Sequence, residues 1–289
     1  MATRLTRLAC ILPLMAAVHA AGEAPTRSDL AYGPDARNVL DFWKAPAAGL
    51  TPVLIYFHGG GFVQGDKAEF RDHRLLRACL ASGISVVAAN YRFVTTAPFP
   101  APLLDGARVL AFVRERARES GLDASRIALS GGSAGGTLAL AVGFHGKGAA
   151  GVRCLVCFDP PTSVNPTVMR RFIYDGQTLP AFTWKIFGLP DATGLGSDRV
   201  LALAEQSSPL ALASPQAPPV YLEYAGSLTP TPLHEGTPQG VFLHHPRWGE
   251  LLTARLAELG VPCQFAHGGN PPPPGAALAF LKKQFGMEP

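Results

Sequence analysis

Apolar residues along the chain occur either in short continuous runs or at helical spacing. Residues 52–57 read PVLIYF, and residues 152–158 read VRCLVCF. Runs of this length are typical of strands that are buried on both faces of a sheet. Residues 102–119 instead place apolar side chains three and four positions apart, which predicts a helix with one buried face. The pattern therefore predicts strands that alternate with helices.

The complete pattern predicts one α/β domain. Strands are expected at residues 28–43 (two short ones around a Gly33-Pro34 turn), 52–57, 84–90, 126–129, 152–158, 219–224 and 262–266. Helices are expected at residues 74–82, 102–119, 133–142, 198–205, 248–259 and 276–285. This alternation predicts a mostly parallel sheet with helices on both faces. Ligands of such sheets bind at the carboxyl ends of the strands.

Composition fits a single globular domain at residues 22–289. The chain of 289 residues is 47% hydrophobic and 16% charged, which suits one large buried core. Its formal net charge is +4, and its Lys and Arg residues do not cluster on a periodic face. Nucleic acid is therefore not an expected partner.

Residues 1–21 have the pattern of a secretory signal peptide. Arg4 and Arg7 give a positive start, residues 8–18 are apolar, and cleavage is plausible after Ala20 or Ala21. No other segment reaches the roughly 18 uninterrupted apolar residues of a membrane span. We therefore expect an exported chain, periplasmic or secreted, with no stable membrane anchor after cleavage.

Cys154 and Cys157 have the CxxC spacing of some redox and metal sites. They lie within the predicted strand at residues 152–158, where positions three apart point to opposite faces. This placement favours core packing over a shared site. Neither a metal nor a cofactor is expected.

A glycine-rich segment, GGSAGG at residues 131–136, follows a predicted strand and opens a predicted helix. A G-x-S-x-G pattern in this context places its serine on a strained strand-to-helix turn, with glycines that let neighbouring backbone pass closely. A phosphate-binding loop is the main competitor, but the G-K-[ST] signature is missing. Ser133 is therefore the candidate nucleophile.

A second motif, HGGGF at residues 58–62, directly follows the predicted strand at residues 52–57. Such a loop presents backbone N–H groups to a developing oxyanion, together with the N–H of the residue after the nucleophile. The candidate oxyanion hole is therefore formed by the amides of Gly60, Gly61 and Ala134. His58 is expected to brace this loop and not to act as the base.

With these two motifs, the chain resembles the hormone-sensitive-lipase and acetyl-esterase-like branch of the α/β-hydrolases. The similarity covers residues 30–281 and includes HGGGF-x-x-GDK at residues 58–67, Asn90-Tyr91-Arg92, and Pro102 with Asp105. It implies an α/β-hydrolase fold with a short lid insertion and hydrolysis of short-chain or aryl carboxylic esters without a cofactor. A small-molecule ester is then the expected partner.

The resemblance fails at two catalytic positions. In the family, the acid lies in a G-x-x-D-P turn, which here reads Gly226-Ser227-Leu228-Thr229-Pro230, so that Thr229 takes its place. The family's histidine follows the next strand, and on the simplest alignment Asn270 stands there. Neither residue can supply the charge or the base that a serine nucleophile needs.

One interpretation is a triad rebuilt from neighbouring residues. His267 ends the strand before Asn270 and is the candidate base, while Asp159 ends another strand and is the candidate acid. The weaker candidates are Glu223 and Glu235 as acids and His234, His244 and His245 as bases. Residues 244–246 read His-His-Pro before a helix, which indicates a role in supporting the preceding loop.

The other interpretation is a non-catalytic relative that keeps the pocket and acts as a binding protein. Serine would then retain only the weak acceleration that an oxyanion hole gives without a base. Thr229 and Asn270 are the residues that favour this interpretation.

Residues 160–193 lie where relatives insert a lid. The segment is expected to be irregular, with Pro180 and Pro190 limiting its flexibility. Its aromatic residues could form an apolar pocket or simply bury the segment on the domain; they are Phe172, Tyr174, Phe182, Trp184 and Phe187.

Overall fold

The computed structural model describes residues 22–145, 151–175, 179 and 181–288. The predicted signal at residues 1–21 and Pro180 of the predicted lid lie outside the described residues. The strands are β1 (Arg27–Ala31), β2 (Val39–Trp43), β3 (Thr51–Phe57), β4 (Ser85–Ala89), β5 (Leu122–Gly132), β6 (Val152–Phe158), β7 (Val220–Tyr224) and β8 (Cys263–His267).

These strands form one sheet in the order β1-β2-β4-β3-β5-β6-β7-β8. β2 pairs antiparallel with both β1 and β4, while all pairs from β4 to β8 are parallel. The mostly parallel sheet predicted from the apolar runs is therefore confirmed. Its carboxyl edge carries the loops that follow β3, β5, β6, β7 and β8.

Ten α-helices are found in the described residues. They are α1 (Arg74–Ala81), α2 (Ala101–Glu115), α3 (Ala134–Phe144), α4 (Pro166–Phe172), α5 (Phe182–Lys185), α6 (Asp198–Glu205), α7 (Pro209–Leu212), α8 (Gln239–Leu243), α9 (Arg247–Glu258) and α10 (Ala276–Gln284). None of the helices in this part of the chain is long and apolar enough to cross a membrane.

The sheet separates two apolar clusters. The larger one packs α2, α3 and α9 on one face, and the smaller one packs α1 and α10 on the other. Within β6, Cys157 belongs to the larger cluster and Cys154 to the smaller, and both thiols are free and buried. Helices thus cover both faces, and the two CxxC thiols point apart as the strand pattern predicts.

The segment at residues 160–193 is more regular than predicted, because it contains α4 and α5. Asn165 caps α4 by accepting a hydrogen bond from the Thr167 N–H at 2.9 Å, and Pro166 occupies the first helical turn. This cap-and-proline signal was present in the sequence. The aromatic residues of the segment pack against the larger cluster, so at least part of their role is to bury it.

Candidate functional site

Ser133 lies on the tight turn between β5 and α3. Its backbone has φ +51° and ψ −120°, a region that residues with a side chain rarely adopt. The Ser133 N–H donates to the Phe158 carbonyl at the end of β6 at 2.8 Å. The turn therefore holds the serine hydroxyl at the carboxyl edge of the sheet, in the conformation expected of a nucleophile elbow.

Close backbone packing explains the glycines around Ser133. A Cβ on Gly135 would lie 2.1 Å from the Phe57 carbonyl oxygen, and one on Gly131 would lie 2.3 Å from the backbone of Gly135. Because these neighbours are backbone atoms, no side-chain movement could relieve the clash. The start of α3 thus presses directly on the end of β3, which brings the HGGG loop to the serine.

The HGGG loop turns beside Ser133. A Cβ on Gly59 would lie 3.6 Å from the Ser133 Cβ, and Gly60 has φ +100°. The Gly60 carbonyl accepts hydrogen bonds from the N–H groups of Val63 and Gln64 inside the loop, at 3.0 and 3.1 Å. Since a peptide unit is planar and trans, the Gly61 N–H points away from these bonds. That donor is thereby left available at the outer side of the turn.

His58 fixes the HGGG loop through contacts of its ring. Its Nδ1 lies 2.7 Å from the Gly59 carbonyl, its Nε2 lies 3.2 Å from the Arg37 guanidinium, and its ring stacks on Tyr91 at 4.4 Å. Burial is the main cause that lowers the pKa of His58 to about 4. The neutral ring can then donate from Nδ1 and accept at Nε2, which makes His58 a brace and unsuited to be a base near neutral pH.

The other family motifs form the frame around this brace. Asn90 accepts from the Lys67 N–H and donates to the Asp66 carboxylate, both at 2.7 Å. Arg92 makes a two-pronged contact with the buried Asp105 carboxylate, with both distances 2.8 Å. These paired groups, of which Asn90 and Asp105 are buried, fix the segments on either side of the HGGG loop.

His244, at the carboxyl end of α8, is the side chain that meets the serine. Its Nε2 lies 2.8 Å from the Ser133 Oγ. The distance and the residue types are those of a nucleophile and its general base. The sequence pattern offered His244 only as a weaker candidate, because it does not follow β8, where the family's histidine lies.

Known proteins share sequence and fold with this chain. The BD-FAE family model matches residues 40–162. Esterase LipI of Mycobacterium tuberculosis is 35% identical over 112 residues, which make up 38% of this chain and 35% of that protein. An esterase from Pyrobaculum calidifontis is 26% identical, with a TM-score of 0.62 over 85% of this chain and 77% of its own. The chain has an α/β-hydrolase fold, and its sequence and structure are similar to those of esterases.

The fold likeness extends further than the sequence likeness. A truncated carbohydrate esterase from gut microbiota superposes with a TM-score of 0.71, covering 92% of this chain and 100% of that chain, at 14% identity. The sequence match to LipI, in contrast, spans only about a third of either protein. The fold is therefore shared along most of the chain, whereas the sequence match to LipI covers a much shorter stretch.

The predicted base, His267, makes its contacts within its own turn. Its Nδ1 accepts from the Gly269 N–H at 3.1 Å, and its backbone N–H bonds to the Asn270 carbonyl at 3.2 Å. Its ring packs on Phe265 with centroids 5.4 Å apart. The Ser133 Oγ is hydrogen-bonded to His244 Nε2 and not to His267.

The predicted acid, Asp159, interacts electrostatically with His244 but makes no direct hydrogen bond to its imidazole. Its Oδ1 accepts from the Ala225 N–H at 2.8 Å. Burial raises the pKa of the Asp159 carboxyl above its usual value, whereas the Ala225 N–H and the nearby His244 act to lower it. Asp159 is thus within electrostatic reach of His244.

Thr229, which stands at the expected acid position, contacts the neighbour of His244. The Thr229 Oγ1 lies 2.8 Å from the Nε2 of the buried His245, whose Nδ1 accepts from the Arg247 N–H at 3.0 Å. Burial lowers the pKa of His245, so its neutral ring donates from Nε2 to Thr229. The histidine pair therefore divides its contacts, with His244 on Ser133 and His245 on Thr229.

The remaining weaker candidates lie elsewhere. His234 contacts the Asp175 carboxylate at 3.0 Å in an exposed pair. Glu223 accepts from the Tyr221 hydroxyl at 2.7 Å, and Glu235 is exposed. Among the described residues, no three His, Cys, Asp or Glu side chains are grouped as a metal site would require.

Proposed function

We propose that this chain hydrolyses carboxylic esters through an acyl intermediate on Ser133, with His244 as the general base. The proposal rests on the 2.8 Å separation between the Ser133 Oγ and the His244 Nε2. A serine hydroxyl is a poor nucleophile until a positioned base accepts its proton. An imidazole at this distance meets that need.

In the first half-reaction, His244 takes the hydroxyl proton while the Ser133 Oγ bonds to the acyl carbon. The carbonyl oxygen becomes negatively charged, and collapse of this intermediate breaks the bond to the alcohol oxygen, which receives the proton from His244. In the second half-reaction, water loses a proton to His244 and bonds to the acyl carbon. The bond between the acyl carbon and the Ser133 Oγ then breaks, His244 returns its proton to the Oγ, and the carboxylic acid leaves.

The oxyanion would be held by the amides of Gly60, Gly61 and Ala134. Ala134 is the first residue of α3, so its N–H has no acceptor within the helix. The Gly61 N–H faces away from the hydrogen bonds within its loop, as the orientation of the Gly60 carbonyl requires. Donors that are already oriented stabilise the developing charge without reorganisation.

Asp159 would stabilise the imidazolium form of His244 through its charge. Accepting a proton from Ser133 leaves His244 positive, and Asp159 is a carboxylate within its electrostatic reach. Since the Asp159 Oδ1 already bonds to the Ala225 N–H, this carboxylate is fixed in place by the backbone. Its contribution is then electrostatic more than orientational.

The names of similar proteins support the substrate class. LipI and the Pyrobaculum calidifontis protein are both described as esterases. We propose small short-chain or aryl carboxylic esters as substrates, and none of the steps above requires a cofactor. We also propose export through residues 1–21, which fractionation of cells expressing the full chain would test.

The deciding experiment treats the protein with a fluorophosphonate probe and, separately, with p-nitrophenyl acetate. Labelling at Ser133, found by peptide mass spectrometry, together with turnover that Ser133→Ala removes, would establish the hydrolase. Neither labelling nor turnover between about pH 5 and pH 9 would favour the non-catalytic binding protein that Thr229 and Asn270 suggest.

A further inference from the structure

A cavity of about 430 Å³ opens on the face of the sheet that carries α1 and α10. Its walls are the first turn of α1, the proline run at residues 271–274 and the first turn of α10, and its floor includes Phe158 and Glu223. None of the residues placed in the ester site lines it. The volume falls within the usual range of small-molecule sites.

The walls of this cavity are apolar and rigid. Prolines have no backbone N–H and a fixed φ, so the run at residues 271–274 offers ring surface with few conformations to lose. Phe158, Leu75 and Leu278 complete the apolar lining. A ligand that binds here would order little protein, which favours affinity for a hydrophobic body.

Glu223 provides a fixed charge in the floor. The Tyr221 hydroxyl donates to its Oε2 at 2.7 Å, which holds the carboxylate in place. Its Oε1 faces the Arg74 guanidinium at 3.8 Å, beyond hydrogen-bond distance. The carboxylate is the more deeply placed of the two charges, because the Glu223 side chain is 21% exposed and that of Arg74 is 85% exposed.

Solvent weakens the effect of Arg74 on this floor. A guanidinium so exposed is screened by water and salt and contributes little to such a pair. His73 also lines the cavity. Burial is the main cause that lowers the pKa of its ring, which favours the neutral form over a second positive charge. The cavity therefore presents one anchored anion against apolar walls.

We propose that this cavity binds a small organic cation, in which an ammonium group meets Glu223 and an aryl or alkyl body packs on the proline run and Phe158. The ammonium would donate to the Glu223 Oε1, which pairs with the exposed Arg74 guanidinium at 3.8 Å without a hydrogen bond and which the ammonium can approach more closely. A charge-assisted hydrogen bond of this kind is stronger than one between neutral groups. This site is separate from ester hydrolysis and does not depend on it.

Binding is tested in the full-length chain carrying Ser133→Ala, so that the result is independent of any esterase activity. The probes are phenethylammonium, the neutral phenethyl alcohol and the anionic phenylacetate, titrated by ligand-observed NMR. The ammonium is expected to bind about tenfold more tightly than the alcohol, and phenylacetate more weakly than either.

Two substitutions are expected to change the affinity for the ammonium in opposite directions. Glu223→Gln should weaken phenethylammonium about tenfold, whereas Arg74→Gln should tighten it two- to threefold by removing a competing cation. Arg77→Gln, on the same helix but outside the cavity lining, is the matched control and should change nothing. Ala78→Leu should reduce binding of all three probes, because Ala78 lines the cavity.

Three results would overturn the proposal. Equal affinity for the ammonium and the alcohol would remove the role of Glu223, and a preference for phenylacetate would assign the cavity to anions through Arg74. An absence of saturable binding up to about 10 mM would reject the site.

Discussion

The two halves of the proposed ester site are built in different ways. Ser133 and the HGGG loop are held by backbone contact, such as that between Gly135 and the Phe57 carbonyl, and by paired groups, of which Asn90 and Asp105 are buried. His244 and Thr229 belong instead to the stretch between β7 and α9, much of which is exposed. A nucleophile elbow has one workable backbone arrangement, while a base needs only to bring one nitrogen to the serine oxygen.

This difference explains where the family pattern is kept and where it is lost. The family model matches residues 40–162, which include the whole elbow and the HGGG loop but neither β7 nor β8. The loops after β7 and β8 both emerge at the carboxyl edge of the sheet. An imidazole from either loop can therefore approach Ser133, and in this protein it comes from the first of them.

Exchange of His244 should have the largest effect on activity. His244→Gln removes the proton acceptor and should lower kcat/KM for p-nitrophenyl acetate by about a thousandfold or more. His267→Gln is the matched control, because the contacts of His267 lie within its own turn, and it should stay within about threefold of the wild type. The reverse ranking would return the role of the base to His267 and the loop after β8.

Gly135→Ala tests the rigid half of the site through stability. Its Cβ would lie 2.1 Å from the Phe57 carbonyl oxygen, so β3 and α3 would have to separate. We expect the free energy of unfolding in urea to fall by about 3 kcal/mol or more. Gly49→Ala is the control, since nothing lies within 4 Å of its Cβ and it should change stability little. Similar midpoints for both variants would contradict the close packing.

The pattern of residues predicted the sheet, both motifs of the rigid half and the brace at His58. These features could be predicted because each depends on local backbone requirements, such as glycine at Gly60 and Gly135, that leave a mark on the sequence. The base could not be placed, because α8 and the loop that carries His244 depend on tertiary packing. Pro246 before α9 was a usable signal for the start of that helix. It does not reveal which of His244 and His245 faces Ser133.

The brace predicts a dependence of stability on pH. Unfolding restores the pKa of His58 from about 4 to about 6.5, so the unfolded chain binds a proton between these values and the folded protein does not. Stability is therefore expected to fall as pH is lowered from about 7 to about 4, by up to about 3 kcal/mol from this group. His58→Gln should reduce this pH dependence in urea unfolding. An NMR titration that finds the folded His58 ring protonated at pH 6 would contradict it.

Asp159→Asn tests the electrostatic role of the acid. Asparagine can still accept from the Ala225 N–H through its carbonyl oxygen, so the substitution removes the charge and keeps the contact. We expect kcat for p-nitrophenyl acetate to fall about ten- to a hundredfold, less than for His244→Gln, because no direct bond to the imidazole is lost. Asp159→Ala, which loses the contact as well, should fall further. Unchanged turnover in Asp159→Asn would show that the charge of Asp159 does not assist His244.

Substitutions of Thr229 test whether the expected acid position has a new role in supporting His245 or has no role in activity. Thr229→Val leaves the buried His245 Nε2 without its partner and should lower kcat three- to tenfold through the adjoining His244, while Thr229→Ser should restore it. Thr229→Asp returns the family's residue, yet its carboxylate would meet His245 and not the base. Activity should therefore not rise above the wild type. A tenfold rise in kcat in Thr229→Asp would mean that a carboxylate in this turn can still interact with His244. The second half of the site would then have kept more of the family's geometry than the contact between Thr229 and His245 indicates.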